Sequence, residues 1–507
     1  MAVPSPQQDT APTSAPLAPF TYFTSRHEVS RIDAAMAEQF SDVFRKVDES
    51  ADDDHTADFV WIHAANKQTE RMAHNAAVCS HLSGIKCLED KASLALLQRE
   101  MRVPTLATYP VRGADGFRQW CEAHFGAGDE SVVTDSATMG GSEADAASAT
   151  LWIVKDAGAN GAEDIWVFSA MCWRDVCSQM EQASAAAAPA TGTGSRVRTY
   201  VVQEYVKRPL LWDGRFKFHL RVYALLTADM RCFLYRKAYA HVANKPFTTL
   251  PGEESATVQE NGEQQRASSE LFGREVHITN VSANIGNDAL FHGTPIIDMP
   301  LDMPLPYARM QRLFTEVARC AAPYMRRQLS ANHFQHMGCD IIIDEDGTPW
   351  LIEINAPPNM FSYTLDPEHP AELETHAMVK PQTHDLIAKF VLGPLLDAQS
   401  SSETVGQSVY DGAKATTRNF TQACSGVGRI HCGTADVLGL CPATHREEAG
   451  LDANPELVNG WEPVCDSAKA PDESFQASTC SDLPLNALYW ASVCSKLRRL
   501  PVARAAE

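Results

Sequence analysis

Two short β-prone runs, GCDIII from Gly338 and PWLIEIN from Pro349, are separated by the turn cluster Asp344, Glu345, Asp346, Gly347 and Thr348. Such a cluster between apolar runs predicts an antiparallel hairpin. If Ile343 pairs with Trp350, Asp340 lies directly opposite Glu353. Opposed residues point to one face, and side chains alternate along a strand. Asp340, Glu353 and Asn355 are therefore expected on one face, with Trp350, Ile352 and Ile354 on the other. Two adjacent carboxylates repel unless a cation lies between them. An all-oxygen set suits Mg²⁺, which keeps several waters and bridges to nucleotide phosphates. These three residues alone would equally suit the solvated side of a sheet.

A chain of 507 residues has room for two or three domains. Its apolar (44%) and charged (21%) fractions are those of an ordinary globular protein. The first residues have neither a basic start nor an apolar stretch, so no signal peptide is expected. No apolar run is long enough to span a membrane. The 14 cysteines fall in no CxxC pair, which fits reduced thiols and a cytoplasmic location. A net charge of −21 argues against nucleic acid as a partner. The cations Lys207, Arg208, Arg215, Lys217, Arg221, Arg231, Arg236, Lys237 and Lys245 nevertheless share one stretch with only Asp213 and Asp229. An anion is expected there.

Along the chain, residues 1–20 are rich in Pro, Ala, Ser and Thr and are expected to be disordered. Residues 21–110 read as a small α/β domain, with helical spacing over 30–47, a strand at 59–63 and a helix over 91–101. Residues 111–205 form a central lobe with strands at 151–155, 165–169 and 199–205; its Ala-rich insert at 179–195 reads as a loop. Residues 206–398 form a C-terminal lobe, interrupted by a polar insert at 252–270, with helical spacing over 306–330 and a closing helix over 383–397. In FKFHLRVYALL, Phe216, Phe218, Leu220 and Val222 face a core, so Lys217, His219 and Arg221 face the other way. A hairpin partner over 231–239 carries Arg236. The Ser-, Thr-, Gly- and Cys-containing extension, 399–507, ends in an apolar helical stripe over 484–500, read as a helix docked on the body.

A basic strand, a glycine-containing loop and a carboxylate hairpin together suggest an ATP–Mg²⁺ site. Lys155, at a strand end, and Lys217 could meet phosphates as compact point charges. The loop 156–164 carries Glu163 and Asp164, the wrong sign for a phosphate cradle. Neither a Walker A sequence nor the kinase motif set is present. Cys424, Cys432 and Cys441 have no zinc spacing.

The motif series VVQEYVKRPLLWDGRFKFHLRVYALL, FLYRK, HITN and FQHMGCDIIIDEDGTPWLIEINAPP resembles that of tubulin–tyrosine ligase-like proteins, members of the ATP-grasp superfamily. A looser match is SHLSGIKCLEDKASL. The resemblance covers residues 59–391. It implies an α/β (α+β) ATP-grasp fold, whose antiparallel sheets clamp ATP, beside a small N-terminal α/β domain. It also implies that Lys155 contacts the phosphates and that Gln203, Glu204, Tyr205 and Val206 form the adenine hinge. Lys217 and His219 would sit by the nucleotide with Thr279 and Asn280. Arg221 and Arg236 would lie near the reacting carboxylate and γ-phosphate, with Lys217 sharing their catalytic role. Asp340, Glu353 and Asn355 match the Mg²⁺ ligands.

The implied chemistry joins a free amino acid to a protein carboxylate through an acyl-phosphate, with ATP and Mg²⁺. Tubulin or another acidic protein is the implied substrate, in the cytoplasm or on the cytoskeleton. His219 stands where many members of the family carry Asp, and GANGAED replaces their usual Gly-rich loop. A silent ATP- or cytoskeleton-binding protein and an ATP-grasp ligase of small molecules therefore stay open as alternatives.

Overall fold

The structure, a computed structural model, describes residues 20–25, 31–47, 57–63, 72–73, 75–126, 150–159, 164–186, 197–248, 272–280, 295–325, 330, 332–358, 370–400 and 461–465. The 1–20 segment apart from Phe20, the 252–270 insert and the 484–500 stripe lie outside these residues.

The first four strands, β1 (Phe20–Thr24), β2 (Phe44–Lys46), β3 (Phe59–Trp61) and β4 (Val78–Cys79), make a parallel sheet in the order β2-β1-β3-β4. Helix α1 (Arg31–Gln39) links β1 to β2. The helical spacing read over 30–47 therefore ends at Gln39, because Phe44 pairs with Phe20 as a strand. Helices α2 (Lys86–Glu89) and α3 (Lys91–Gln98) follow. The Asp90 carboxylate caps α3 by accepting the Ser93 amide at 2.7 Å, satisfying one first-turn donor. Leu88, Leu94 and Leu97 pack into the core of the largest sheet, not that of the parallel one.

Strand β5 (Thr108–Arg112) pairs with β8 (Thr199–Glu204), and β8 with β6 (Trp152–Asp156), which pairs with β7 (Ile165–Phe168). This antiparallel sheet claims β5, so the parallel unit ends before Thr108 rather than at residue 110. Helices α4 (Gly113–Phe125) and α5 (Trp173–Ala186) supply the aromatic core that covers it. Helix α5 runs into the 179–195 insert expected to be a loop. Trp173, Val176, Cys177 and Met180 form its buried stripe, and alanine continues a helix at the least cost.

The largest sheet is antiparallel, in the order β12-β11-β10-β13-β14. Its strands are β10 (Phe216–Thr227), β11 (Cys232–Val242), β12 (Ile296–Asp298), β13 (Phe334–Ile343) and β14 (Pro349–Asn355). Short β9 (Leu211–Trp212) pairs with β10. Short helices α6 (Arg274–His277) and α7 (Met299–Asp302) precede α8 (Pro304–Ala321). A helical tail follows β14: α9 (Pro370–Leu386), a π-helical turn (Ile387–Leu392) and α10 (Gly393–Ser400). It begins well before the expected closing helix.

Strand β10 divides the sheet's functions. Phe216, Phe218, Leu220, Val222, Ala224 and Leu226 enter one core with α3 and α8. On the opposite face, Tyr223 and Leu225 join a second core with the parallel sheet, α9 and the π-helical turn. That leaves Lys217, His219 and Arg221 as the polar half of the second face. Residues 461–465, from the C-terminal extension, form β15 (Trp461–Cys465) on the edge of β11. Trp461 is buried against Tyr235, Phe390 and His336.

The hairpin reaches the expected pairing by a different route. Next to the turn, Ile343 pairs with Pro349 and Ile342 with Trp350, one residue off the expected register. A bulge at Ile352 then restores Asp340 opposite Glu353 and Gly338 opposite Asn355. The bulge also changes the faces. Trp350 and Ile352 join Ile342, Leu106 and Val206 in a small apolar cluster, while Ile354 enters the main core with Leu351.

Candidate active site

Across β14, β13, β10 and β11, one sheet face carries Glu353 and Asn355, then Asp340, then Lys217, His219 and Arg221, then Tyr239 and His241. Arg221 opposes Asp340 on β13 and clamps it, its Nε donating to Oδ1 at 2.5 Å and its Nη2 to Oδ2 at 3.1 Å. Both are buried or nearly so. Despite burial, Asp340 holds the Arg221 guanidinium above its ordinary value. A Cβ on Gly338 would stand 2.9 Å from the Pro358 ring and 3.3 Å from the Arg221 side chain. Glycine thus lets Arg221 lie over the neighbouring strand.

Glu353 Oε1 accepts the Asn355 amide at 3.3 Å, and its Oε2 lies 3.8 Å from Lys91 Nζ. An ionised carboxylate has about four lone-pair positions, so the two used by Arg221 leave Asp340 able to ligate. With the Glu353 carboxylate and the Asn355 amide oxygen, the donors fit a hard divalent cation.

The central sheet contributes Lys155 and Gln203. Lys155 Nζ donates to Gln203 Oε1 at 3.1 Å and to the Ile352 carbonyl, on the bulge, at 3.4 Å. Gln203 in turn donates to Thr108 Oγ1 at 3.1 Å. Lys217 Nζ donates to the His277 carbonyl at 2.8 Å and lies 4.3 Å from the centre of the Tyr205 ring. Burial pushes the Lys155 ammonium down to about 8, against the pull of Glu353, and Lys217 down to about 7, with Lys155 adding to the shift. For both lysines the cost of burying the ammonium outweighs any nearby carboxylate.

His219 Nδ1 lies 2.5 Å from Thr279 Oγ1 and its Nε2 lies 3.7 Å from Asp340 Oδ1. Burial, then Arg221, pushes its imidazole down to about 3. Tyr205 OH pairs with His277 Nδ1 at 2.9 Å, and Val206 sits in the apolar cluster beside Ile342. Glu204 faces outward to Lys207 at 3.3 Å. Asn280 follows Thr279 at the end of the same segment.

Arg236 is not brought to this cluster. It sits in a bulged part of β11 with its Nη2 3.4 Å from Asp298 of β12, near Tyr307 of α8. The basic run is also less free than its sequence suggests. Carboxylates distant in the chain pair with Arg208 (Glu345 and Asp346), Arg221 (Asp340), Arg236 (Asp298) and Lys245 (Glu275). Conversely, Asp164 of the wrong-signed loop is taken by Arg198 at 2.5 Å, which also reaches Asp156 at 3.2 Å.

Two site residues escape the sequence reading. Lys91, in the first turn of α3, donates to the Ala159 carbonyl at 2.9 Å while facing Glu353. A lysine in a helix's first turn opposes the helix dipole, a local oddity that could have singled it out. His241 pairs directly with His219, two residues beyond the expected end of the hairpin strand.

The sequence model of the tubulin-tyrosine ligase family matches residues 124–289 and 307–370, which include β6, β8, β10, β11, β13 and β14. The probable tubulin polyglutamylase TTLL9 of Rattus norvegicus is 30% identical over 182 residues, 35% of this chain and 37% of the relative. Tubulin glycylase 3B of Drosophila melanogaster is 28% identical over 171 residues, 32% of this chain and 21% of the relative. The probable tubulin–tyrosine ligase PBY1 of Saccharomyces cerevisiae is 29% identical over 176 residues, 32% of this chain and 22% of the relative. The chain spans about half or less of the length of the curated relatives it matches. The matched stretches are similar to the tubulin–tyrosine ligase family, and the chain's mixed α/β architecture with antiparallel sheets is ATP-grasp-like.

Proposed function

We propose that the chain is an ATP- and Mg²⁺-dependent ligase that joins a free amino acid to a carboxylate of tubulin, by tyrosination- or glutamylation-type chemistry. The observation that carries this reading is the meeting of buried Lys155 and Lys217 with Asp340 and Glu353, which oppose each other across the hairpin. The relatives' names specify three different amino acids, so they support the class of transfer rather than one amino acid.

In this reading Lys155, Lys217 and Lys91 neutralise the ATP phosphates. Ile342, Trp350, Ile352, Leu106 and Val206 offer an apolar bed for the base. Asp340, Glu353 and Asn355 would hold Mg²⁺, which would supply charge neutralisation on the transferring phosphoryl group. A carboxylate oxygen of the substrate attacks the γ-phosphorus; the new O–P bond forms as the bond to the β-phosphate oxygen breaks and ADP leaves. The amine nitrogen then attacks the carbonyl carbon, the C–O bond to phosphate breaks, and the amine gives up a proton. Arg221 fixes Asp340 and keeps Nη1 as a further donor for developing oxyanion charge. Positioning by the two sheets supplies the rest. Such an enzyme would work where tubulin is, in the cytoplasm and on the cytoskeleton. Among the described residues no helix is long and apolar enough to cross a membrane.

The test is incubation with ATP, Mg²⁺, tubulin and labelled tyrosine, glutamate or glycine in separate reactions. Label entering tubulin names the amino acid. If ATP protects the protein from melting but no label transfers, a silent binder or a small-molecule ligase becomes the better reading.

The lysines give the site a pH signature. Between about 7 and 10.5 for Lys217, and about 8 and 10.5 for Lys155, the side chain is mostly neutral when folded and charged when unfolded. The unfolded chain then binds more protons, so their contribution to stability rises with pH. Nucleotide binding runs the other way, because phosphates need the lysines charged. The Kd of a non-hydrolysable ATP analogue is expected to weaken from pH 7 to pH 9, by at most about tenfold per pH unit for each lysine regaining a proton. Calorimetric titration at the two pH values checks this; a constant Kd would place the phosphates elsewhere.

A further inference from the structure

We propose that His219 and His241 form the seat of the incoming amine, an assignment that rests on the ligase reading above. The two histidines oppose each other directly on β10 and β11, with ring centres 4.6 Å apart and planes inclined by 37°. Each presents a buried ring nitrogen, Nε2 of His219 and Nδ1 of His241, with no hydrogen-bond partner among the described residues. A buried polar atom left unpaired is destabilising, because its lost hydration is not replaced. Two of them side by side at a site call for a ligand group that satisfies both.

The neighbours hold this arrangement. Thr279 Oγ1 fixes the far nitrogen of His219, and the Tyr239 ring meets His241 edge-on at 5.0 Å and 80°. The nearest carboxylate, Asp340, lies 3.7 Å from His219 Nε2 and is already clamped by Arg221. The sheet face therefore runs from carboxylates on β13 and β14, through Arg221, to the histidines on β10 and β11. His219 lies between Lys217 and Arg221 on β10, and His241 stands beside it on β11, on the side away from β13 and β14, so a nucleotide and its cation over the carboxylates leave the His241 side for the second substrate.

Two adjacent ring nitrogens without partners suit an amine. A primary amine carries enough N–H groups to donate to both orphan nitrogens. A carboxylate in that place would favour the ammonium form, which has no lone pair for attack, and a cation would repel it. Burial, then His219 and Arg221, keeps His241 well below the usual imidazole range, so it remains an acceptor.

The test compares full-length wild type, His241→Phe and His241→Asn in steady-state ligation to tubulin with the amino acid that wild type transfers. Phe keeps a ring for packing and removes both nitrogens; the Asn amide puts a polar atom near the Nδ1 position. His241→Phe is expected to raise the amino-acid KM by about tenfold or more, the size of one lost hydrogen bond. Its KM for ATP and its ATP-induced melting shift are expected to match wild type. His241→Asn is expected to recover part of the amino-acid KM. An unchanged amino-acid KM in His241→Phe, or a KM for ATP that rises with it, overturns the seat while leaving the ligase reading intact. Wild type that transfers no amino acid removes both.

Discussion

Glu353→Gln is expected to lower ligation by roughly 100-fold or more, the scale seen when one preorganised electrostatic group is taken from a transition state. The substitution keeps the size of the side chain and its contact with the Asn355 amide, which an amide oxygen can also accept. It removes the charge that faces Lys91 at 3.8 Å and that opposes Asp340 across the hairpin. Folding should be nearly unaffected, since Glu353 is partly exposed and outside both large cores. The check pairs single-turnover ligation with a melting curve. Lost turnover with an unchanged melting temperature supports a cation-holding role, whereas full activity would remove Glu353 from the site.

Trp461→Ala is expected to cost about 3–5 kcal/mol of stability, the range for truncating a large buried aromatic. Trp461 is among the largest fully buried side chains, yet 60 residues separate it from the end of α10. Its Nε1 donates to the Gln382 carbonyl at 3.4 Å, and its own carbonyl accepts from Lys389 Nζ at 3.1 Å. Tyr307 donates to the neighbouring Glu462 at 2.6 Å. Denaturant unfolding of the two full-length proteins measures the difference. A loss below about 0.5 kcal/mol, the level of an ordinary surface substitution, would mean that β15 contributes little to the folded state.

The sequence made the site legible where local pattern and physics coincide. Strict alternation over FKFHLRV separates Lys217, His219 and Arg221 from the core, as the structure does. The hairpin was legible in its central pair, Asp340 with Glu353, although the turn-side register is off by one and the bulge at Ile352 compensates. No single-strand pattern announces a bulge, so Trp350 and Ile352 were assigned the wrong face. The remaining differences are long-range. Lys91 reaches Glu353 from a helix more than two hundred residues away, and the basic run finds its carboxylates on other elements of the fold. Arg236 looked like a site residue because it shares a strand with the site. The bulge in β11 and Asp298 take it elsewhere. The Ala-rich insert suggested a loop from composition, whereas its first residues extend a helix with a buried stripe.

The division of β10 also bears on how the protein breathes. From Leu220 to Leu226 this strand is flanked by both β11 and β13, with cores on both faces. Amides in such a strand exchange their protons with solvent only through the largest openings of the molecule. That of Arg221 should thus exchange as slowly as those of Leu220 and Val222. The chemistry sits on the part of the sheet that opens last, and fraying of the parallel unit or of β15 would leave it standing.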